Sequence, residues 1–349
     1  MDNYTREIFS PPLDLVTQGQ IQFGCFSDFV KKVNYLDAKR PFGFPVPRSF
    51  KYMRLKEWQA AQLGNDDFFI LIAVYNAKAL SVNQFILYDK KNDQLYKYER
   101  QVPFWQTKVS KSILNGLSLY ESKNFRIEIL NRLGDKYINF KIHIKKQKAL
   151  PDVEAEFKVN YNKGNYAPLV VSIPFGKNSG MYSYKNLERV KGKILLGEKE
   201  IHFNPENSFC IIDDHKGYYP YNMKYDWVTG TAFIDGTLNG FNLTDNQSIN
   251  PELYNENAFW RSGKLYLLPP VKFHRTTEHT EWHITDEYGM VDLKFTPVVE
   301  NTLRFNLGIV KADYSGPFGS FKGFIKYAPG KKIEVNVFFG MGEKKFIRS

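Results

Sequence analysis

Between Asn204 and Trp260 the chain gathers carboxylates, amides and aromatic rings where its other segments alternate aliphatic and polar residues. The stretch holds Asp213-Asp214-His215-Lys216-Gly217-Tyr218-Tyr219-Pro220, then Tyr225-Asp226-Trp227, Gly240-Phe241-Asn242 and Asn255-Glu256-Asn257-Ala258-Phe259-Trp260. Aromatic walls exclude water from a carboxylate and penalise its charged form, which lifts its pKa towards the range of a general acid. Asp213 (or its neighbour Asp214) and Glu256 are the candidate catalytic carboxylates. Tyr219, Tyr225, Trp227, Asn242, Asn257, Trp260 and His274 are the candidate ligand-binding residues, aromatic for stacking or polar for orienting a ligand. Each also has a plain structural reading. Asp214-His215-Lys216-Gly217 has the composition of a turn, and Trp227 and Trp260 suit a core. A pure core, however, would not collect this many polar side chains.

Other chemistry finds less support. His274, His279 and His283 sit at H-x4-H-x3-H on a hairpin pattern, where His274 and His283 face each other across the turn. The two-histidine helix of a zinc protease is missing, so no metal is expected. No G-x-S-x-G elbow, phosphate loop or dinucleotide-binding glycine pattern occurs, and no cofactor is expected. Gly316-Pro317-Phe318-Gly319-Ser320-Phe321-Lys322-Gly323 reads as a β-hairpin whose glycines permit sharp curvature.

The elements that must position these residues are strands. Period-2 alternation, the mark of a half-buried strand, runs through Asn124–Ile129, Tyr137–Ile144, Met290–Phe295 and Ile333–Phe338. Phe68–Tyr75 is apolar at almost every position, as in a strand covered on both faces. Lys90-Lys91-Asn92-Asp93, Gly134-Asp135, Asp235-Gly236 and Arg261-Ser262-Gly263-Lys264 supply the intervening turns. Helical spacing is best in Arg54–Leu63, which also reads as a strand approach. The aromatic content of 16% agrees with β-structure. The fold expected is all-β, with two antiparallel barrels or strongly curved sandwiches and few short helices. A change of texture around 145–170 divides it into residues 1–165 and 166–349, the second carrying the polar and aromatic cluster.

Net charge is +11, but the lysines are scattered and no nucleic-acid-binding motif is present. Nucleic acid is therefore not the expected partner, and a small molecule is. No run is long and apolar enough for a transmembrane helix. The start, Met1-Asp2-Asn3-Tyr4-Thr5-Arg6-Glu7, lacks the pattern of a signal peptide. Cys25 and Cys210, two cysteines far apart, read as free buried thiols of a cytoplasmic protein.

The order Asp213-x-x-Lys216-Gly217-x-x-Pro220, Tyr225-Asp226-Trp227, Gly240-Phe241-Asn242, Glu256-Asn257-x-x-Trp260, Asp292-Leu293-x-Phe295-x-Pro297 and Gly340-x-Gly342-Glu343 resembles an uncharacterised bacterial family, domain of unknown function 2804. That family is similar in layout to two-domain lipocalin-like proteins such as carotenoid hydratases and tocopherol cyclases. The resemblance implies paired barrels, a pocket in or between them, and acid catalysis on a hydrophobic substrate by a buried carboxylate. Three functions are then open: an acid–base hydratase, isomerase or cyclase; a non-catalytic binder of an apolar or glycolipid-like ligand; and a glycoside hydrolase or lyase.

Overall fold

The computed structural model describes residues 4–145, 147, 149–161, 164, 166–275, 281–307 and 310–348. Among them, the one α-helix is Arg48–Arg54, and the strands form two large sheets and one small two-stranded ribbon.

The larger sheet contains 15 strands among the described residues. Its main path passes through Gln94–Val102, Ser81–Asp89, Phe68–Asn76, Lys56–Gly64, Phe209–Gly217, Gly180–Leu196, Val153–Asn160, Tyr137–Ile144, Phe125–Arg132, Gly116–Ser122 and Thr107–Lys108. Its last strands return to touch Phe68–Asn76, so the sheet nearly closes into a barrel. Alternation drives the closure. Val153–Asn160 buries and exposes successive residues without exception, placing Val153, Ala155, Phe157 and Val159 inside. Phe125–Arg132 and Tyr137–Ile144 do the same, each with apolar residues at every second position. Phe68–Asn76 is buried along both faces, one towards the barrel interior and one towards the second sheet.

The second sheet has 12 strands among the described residues, centred on Thr237–Asp245, Asn222–Ile234, Phe339–Arg348 and Phe318–Ala328. It curves until Val271–Arg275 touches Thr237–Asp245. The curvature is sharpest at a row of glycines: Gly340 pairs with Gly230 on one side and Gly319 on the other. A Cβ on Gly340 would stand 1.9 Å from the Thr229 carbonyl oxygen, and one on Gly319 would stand 2.2 Å from that of Thr296. Only hydrogen fits there. The Gly316–Gly323 segment is not the hairpin its composition suggests: Val310–Ser315 before it and Phe318–Ala328, which begins within it, both pair with Phe339–Arg348, and its glycines serve close strand approach.

The turns fall where expected. Asp235-Gly236 and Ser262-Gly263 both adopt the paired positive φ angles of tight hairpins. Four further local expectations need correction. The sheets part at Tyr218–Tyr221 and not near 165, because Leu169–Pro174, Gly180–Leu196, Lys199–Phe203 and Phe209–Gly217 all bond within the first sheet. Arg54–Leu63 is not helical: the helix ends at Arg54, and Lys56–Gly64 is a strand. Asp214–Gly217 is no turn but the end of a strand, with both neighbours hydrogen-bonded. The strand at Ile333 stops at Glu334, where the Val335 amide turns to the Gly323 carbonyl.

Two measurements check this packing. Gly340→Ala should cost about 3 kcal/mol or more in denaturant unfolding, while Gly236→Ala, in open space, should cost at most about 1 kcal/mol for its positive φ. Glu188 is buried inside the barrel, and that burial pushes its carboxyl up to about 8, against the lowering effect of the Asn186 amide that donates to it. A carboxyl held more protonated in the folded state stabilises fully below its unfolded value of about 4.3, and that contribution is lost as pH rises to about 8. Melting curves from pH 5 to 9 should therefore show the wild type losing ground to Glu188→Gln, by about 1 kcal/mol or more at the alkaline end.

Candidate functional site

Where the outer face of the first sheet meets the second sheet, the strand register lines up two transverse rows of side chains. One row is Ser183, His215, Trp58, Tyr75 and Val82; the next is Lys185, Asp213, Ala60, Ala73 and Gln84. The two alanines are the smallest members, and the floor sinks over them. Residues of the second sheet, among them Tyr225, Trp227, Tyr314, Met341 and Lys345, roof the depression. The result is a cleft of about 1210 Å³ counted to its open mouth, mostly apolar in its walls.

One end of the cleft is a cluster of charges. Lys185, only 1% exposed, donates from Nζ to Asp213 Oδ1 at 2.7 Å and lies 3.1 Å from Glu256 Oε2. His215 Nε2 is 2.7 Å from that Nζ, 2.8 Å from Asp213 Oδ1 and 2.9 Å from Ser183 Oγ. Ser183 Oγ in turn donates to Glu256 Oε2 at 3.0 Å. The imidazole stacks on Trp58 with centroids 4.4 Å apart, and its Nδ1 is 3.3 Å from the Tyr219 hydroxyl. Two nitrogens 2.7 Å apart cannot both point a proton at each other. Either the ammonium donates to a neutral imidazole, or the imidazole holds the proton and the lysine gives one up.

Charge works against burial at both Asp213 and Lys185. Burial pulls the Asp213 carboxyl upward, but His215 and Lys185 outweigh it and hold the group well below the ordinary carboxylate range. Burial likewise disfavours the Lys185 ammonium, yet Asp213 and Glu256 raise its pKa above the usual value. His215 and Lys185 therefore favour the anion of Asp213. Aromatic walls alone would raise its pKa; the two buried bases beside it reverse the sign. Asp214 points to the other face, where it binds Lys216 Nζ through both oxygens at 3.1 Å.

The other end of the cleft belongs to the second sheet. Tyr225 and Tyr314 donate to the two oxygens of Glu343 at 3.0 and 2.8 Å, and Lys345 donates to the Tyr225 hydroxyl at 2.9 Å. The Lys345 ammonium lies between 5.1 and 5.7 Å from the rings of Trp58, Tyr75, Tyr225 and Tyr314. Four aromatic faces around one cation make a box that favours positive charge. Burial lowers the Lys345 pKa, against the pull of Glu343 and Asp213.

Of the residues singled out from sequence, Asp213, Glu256, Tyr219, Tyr225 and Trp227 line this cleft together. The others do not. Asn242 is fully buried behind it, accepting from Trp227 Nε1 at 2.7 Å and donating to the Glu256 carbonyl at 2.5 Å. Asn257 braces the same loop, accepting from the Thr244 amide and donating to the Pro269 carbonyl. Trp260 spans the seam between the sheets, its Nε1 donating to the Ala167 carbonyl at 2.8 Å. His274 is exposed on an outer strand opposite His283, while His279 lies outside the described residues. No metal-binding group of three His, Cys, Asp or Glu occurs among the described residues. Arg6 secures the loop of Glu256 by donating to Asn255 Oδ1 at 2.6 Å and to the Asn257 carbonyl.

Sequence reasoning missed Lys185, Ser183 and His215, and it missed Glu343 and Lys345 as a pair. A signal existed: Asp213 and His215 are two apart and share a strand face, as do Ser183 and Lys185.

Comparison with solved structures places two proteins of low sequence identity beside this fold. Kievitone hydratase from Nectria haematococca aligns over 94% of this chain and 98% of its own, at 11% identity and a TM-score of 0.49. A putative AttH from Nitrosomonas europaea aligns over 84% of this chain and 92% of its own, at 12% identity and a TM-score of 0.49. No curated protein matches the sequence. A family model does match, from residue 5 to residue 348, and the chain belongs to that family, the domain of unknown function DUF2804.

Proposed function

We propose that this protein is an acid–base enzyme that adds a proton to a small apolar or amphipathic molecule held in the cleft, as a hydratase, isomerase or cyclase would. The observation that carries the reading is the cluster of Lys185, His215, Asp213 and Glu256 set into the wall of an aromatic cleft. His215 is the proton carrier. With Lys185 donating to Nε2, the ring proton sits on Nδ1 and points at the Tyr219 hydroxyl, which burial keeps neutral; as Tyr219 passes its proton to the substrate it takes the Nδ1 proton, Nε2 takes one from Lys185, and solvent restores the lysine. Protonation of an unsaturated carbon leaves positive charge on the substrate, and the anion of Asp213 is placed to face it. Glu256 and Ser183 hold Lys185 and His215 in place.

Glycoside hydrolysis has no corresponding support. Its two carboxylates must flank a sugar carbon, whereas here one ammonium fills the space between Asp213 and Glu256. Cys25 and Cys210 are buried and unpaired, which supports a reducing compartment, and we assign the protein to the cytoplasm.

The test is deuterium uptake. Incubated in deuterium oxide with a panel of terpenoid alkenes, the wild type should place solvent deuterium on a substrate carbon, read by mass spectrometry. His215→Gln and Lys185→Met should each reduce uptake about 100-fold. Ala73→Leu, which fills the floor without touching the charges, should abolish binding as well as uptake. Tight binding with no uptake in any variant would instead make the protein a carrier. Lys185→Met carries a second signature: it strands two buried carboxylates, so it should lose about 3 kcal/mol of stability at neutral pH and recover part of that loss in acid.

A further inference from the structure

We propose that the end of the barrel formed by the helix Arg48–Arg54 and the Phe104–Gln106 turn docks on an anionic lipid membrane. The helix has seven residues and none of them is buried. Such a helix ordinarily presents polar side chains, because it has no core to cover. This one carries Phe50, Tyr52 and Met53, which are 47%, 40% and 44% exposed. Around it stand Phe44 at 59%, Tyr221 at 49% and Trp105 at 72% exposure. Ring contacts join the group: Phe50 meets Phe42, Phe42 meets Tyr218, Tyr52 meets Phe104, and Phe104 meets Trp105. Clustered exposed aromatics of this kind mark an interaction surface, and Trp and Tyr favour the membrane interface.

Charge selects the partner. From residue 39 to residue 56 the chain has no Asp or Glu, and of its six basic residues Lys39, Arg40 and Arg48 are exposed, Lys51 and Arg54 half-buried and Lys56 buried. From residue 100 to residue 120 it has Arg100, Lys108 and Lys111, again with no acidic residue. The nearby carboxylates are engaged: Asp37 pairs with Arg48, and Glu57 pairs with Lys78, whose ammonium lies over the Tyr52 ring. Apolar side chains ringed by cations suit a surface that is oily inside and negative outside. A second copy of this chain fits less well, since a two-fold contact would set this basic face against itself.

The patch also adjoins the cleft. Asn76, next to the cleft residue Tyr75, donates to the Phe104 carbonyl at 2.8 Å, and Glu57 is next to Trp58. A ligand dissolved in lipid would leave the bilayer beside the cleft. The docking surface stands on exposure and charge alone, so it holds whether or not the cleft is catalytic.

Flotation with vesicles decides it. Wild type should float with vesicles of phosphatidylcholine and phosphatidylglycerol in equal parts and stay behind with phosphatidylcholine alone. On binding, Trp105 emission should shift to the blue. Phe50→Ser with Trp105→Ser should weaken binding at least about tenfold at an unchanged melting temperature. Arg40→Glu with Lys108→Glu should weaken it about fivefold or more per position, and added salt should mimic the charge variant. Failure of the wild type to float would overturn the proposal. So would undiminished flotation of the Phe50/Trp105 variant. A concentration-dependent dimer that those serines dissociate would show that the partner is a second copy.

Discussion

A lysine ammonium with 1% of its surface exposed must be neutralised, and the architecture around the cleft follows from that requirement. Lys185 takes one carboxylate, Asp213, from its neighbouring strand and the other, Glu256, from a loop of the second sheet. The two sheets are thereby joined at their seam by charge as well as by apolar packing. Glu256 must arrive at the right height, and a chain of buried hydrogen bonds sets it there. Asn242 holds its carbonyl, Asn257 and Asn255 brace its neighbours, and Arg6 reaches across from the N-terminal segment. These residues touch no ligand in the cleft, yet their amide groups explain the density of Asn in this part of the sequence. Broken at any point, the network would leave a buried charge with one partner too few.

The same constraint explains why the cleft is where it is. An apolar seam would close completely, because close packing leaves few voids. Here the charged end needs its polar partners in fixed geometry, while Ala60 and Ala73 keep the floor low beside it. The bulk is moved to the roof and rim, into Tyr225, Trp227, Tyr314 and Met341. Gln62 ties the two halves together at that level, accepting from the Thr229 hydroxyl at 2.5 Å. Within the second sheet, Gly230, Gly340 and Gly319 stand side by side where a Cβ would collide with a neighbouring strand or ring.

How much of this was legible from sequence depended on range. Local pattern was reliable: the alternation in Tyr137–Ile144 and the Asp235-Gly236 turn both appear as read. The cluster of Asp213, Tyr219, Tyr225, Trp227 and Glu256 was also visible, because its members lie within 44 positions of one another. What failed was any inference needing to know what covers a strand face. The Ser183 and Lys185 face reads as solvent-facing, and only the arrival of the second sheet buries it. Asp214-His215-Lys216-Gly217 has turn composition, but its flanking strands on both sides make it part of a ladder. Asn257, Trp260 and His274 have the right types for binding, yet long-range register sends them to the bracing loop, the seam and the outer surface. The downward pull on Asp213 needs two facts that local sequence does not show: that Lys185, 28 residues away, pairs with it, and that His215, two residues on, lies on the same strand face and not in a turn.

Charge is therefore sorted by place and not merely summed. The chain as a whole is +11, but the cleft sets the carboxylates of Asp213, Glu256 and Glu343 against the bases Lys185, His215 and Lys345, so acids and bases are matched in number there. An anionic ligand gains little there. A neutral molecule loses little on entry and gains when it acquires positive charge, which is the differential stabilisation that acid catalysis requires. The excess cations lie elsewhere, and one dense group of them surrounds the exposed aromatics of Arg48–Arg54 and Trp105. Basic side chains thus gather at the rim of the barrel, whereas in the cleft each base is matched by a carboxylate.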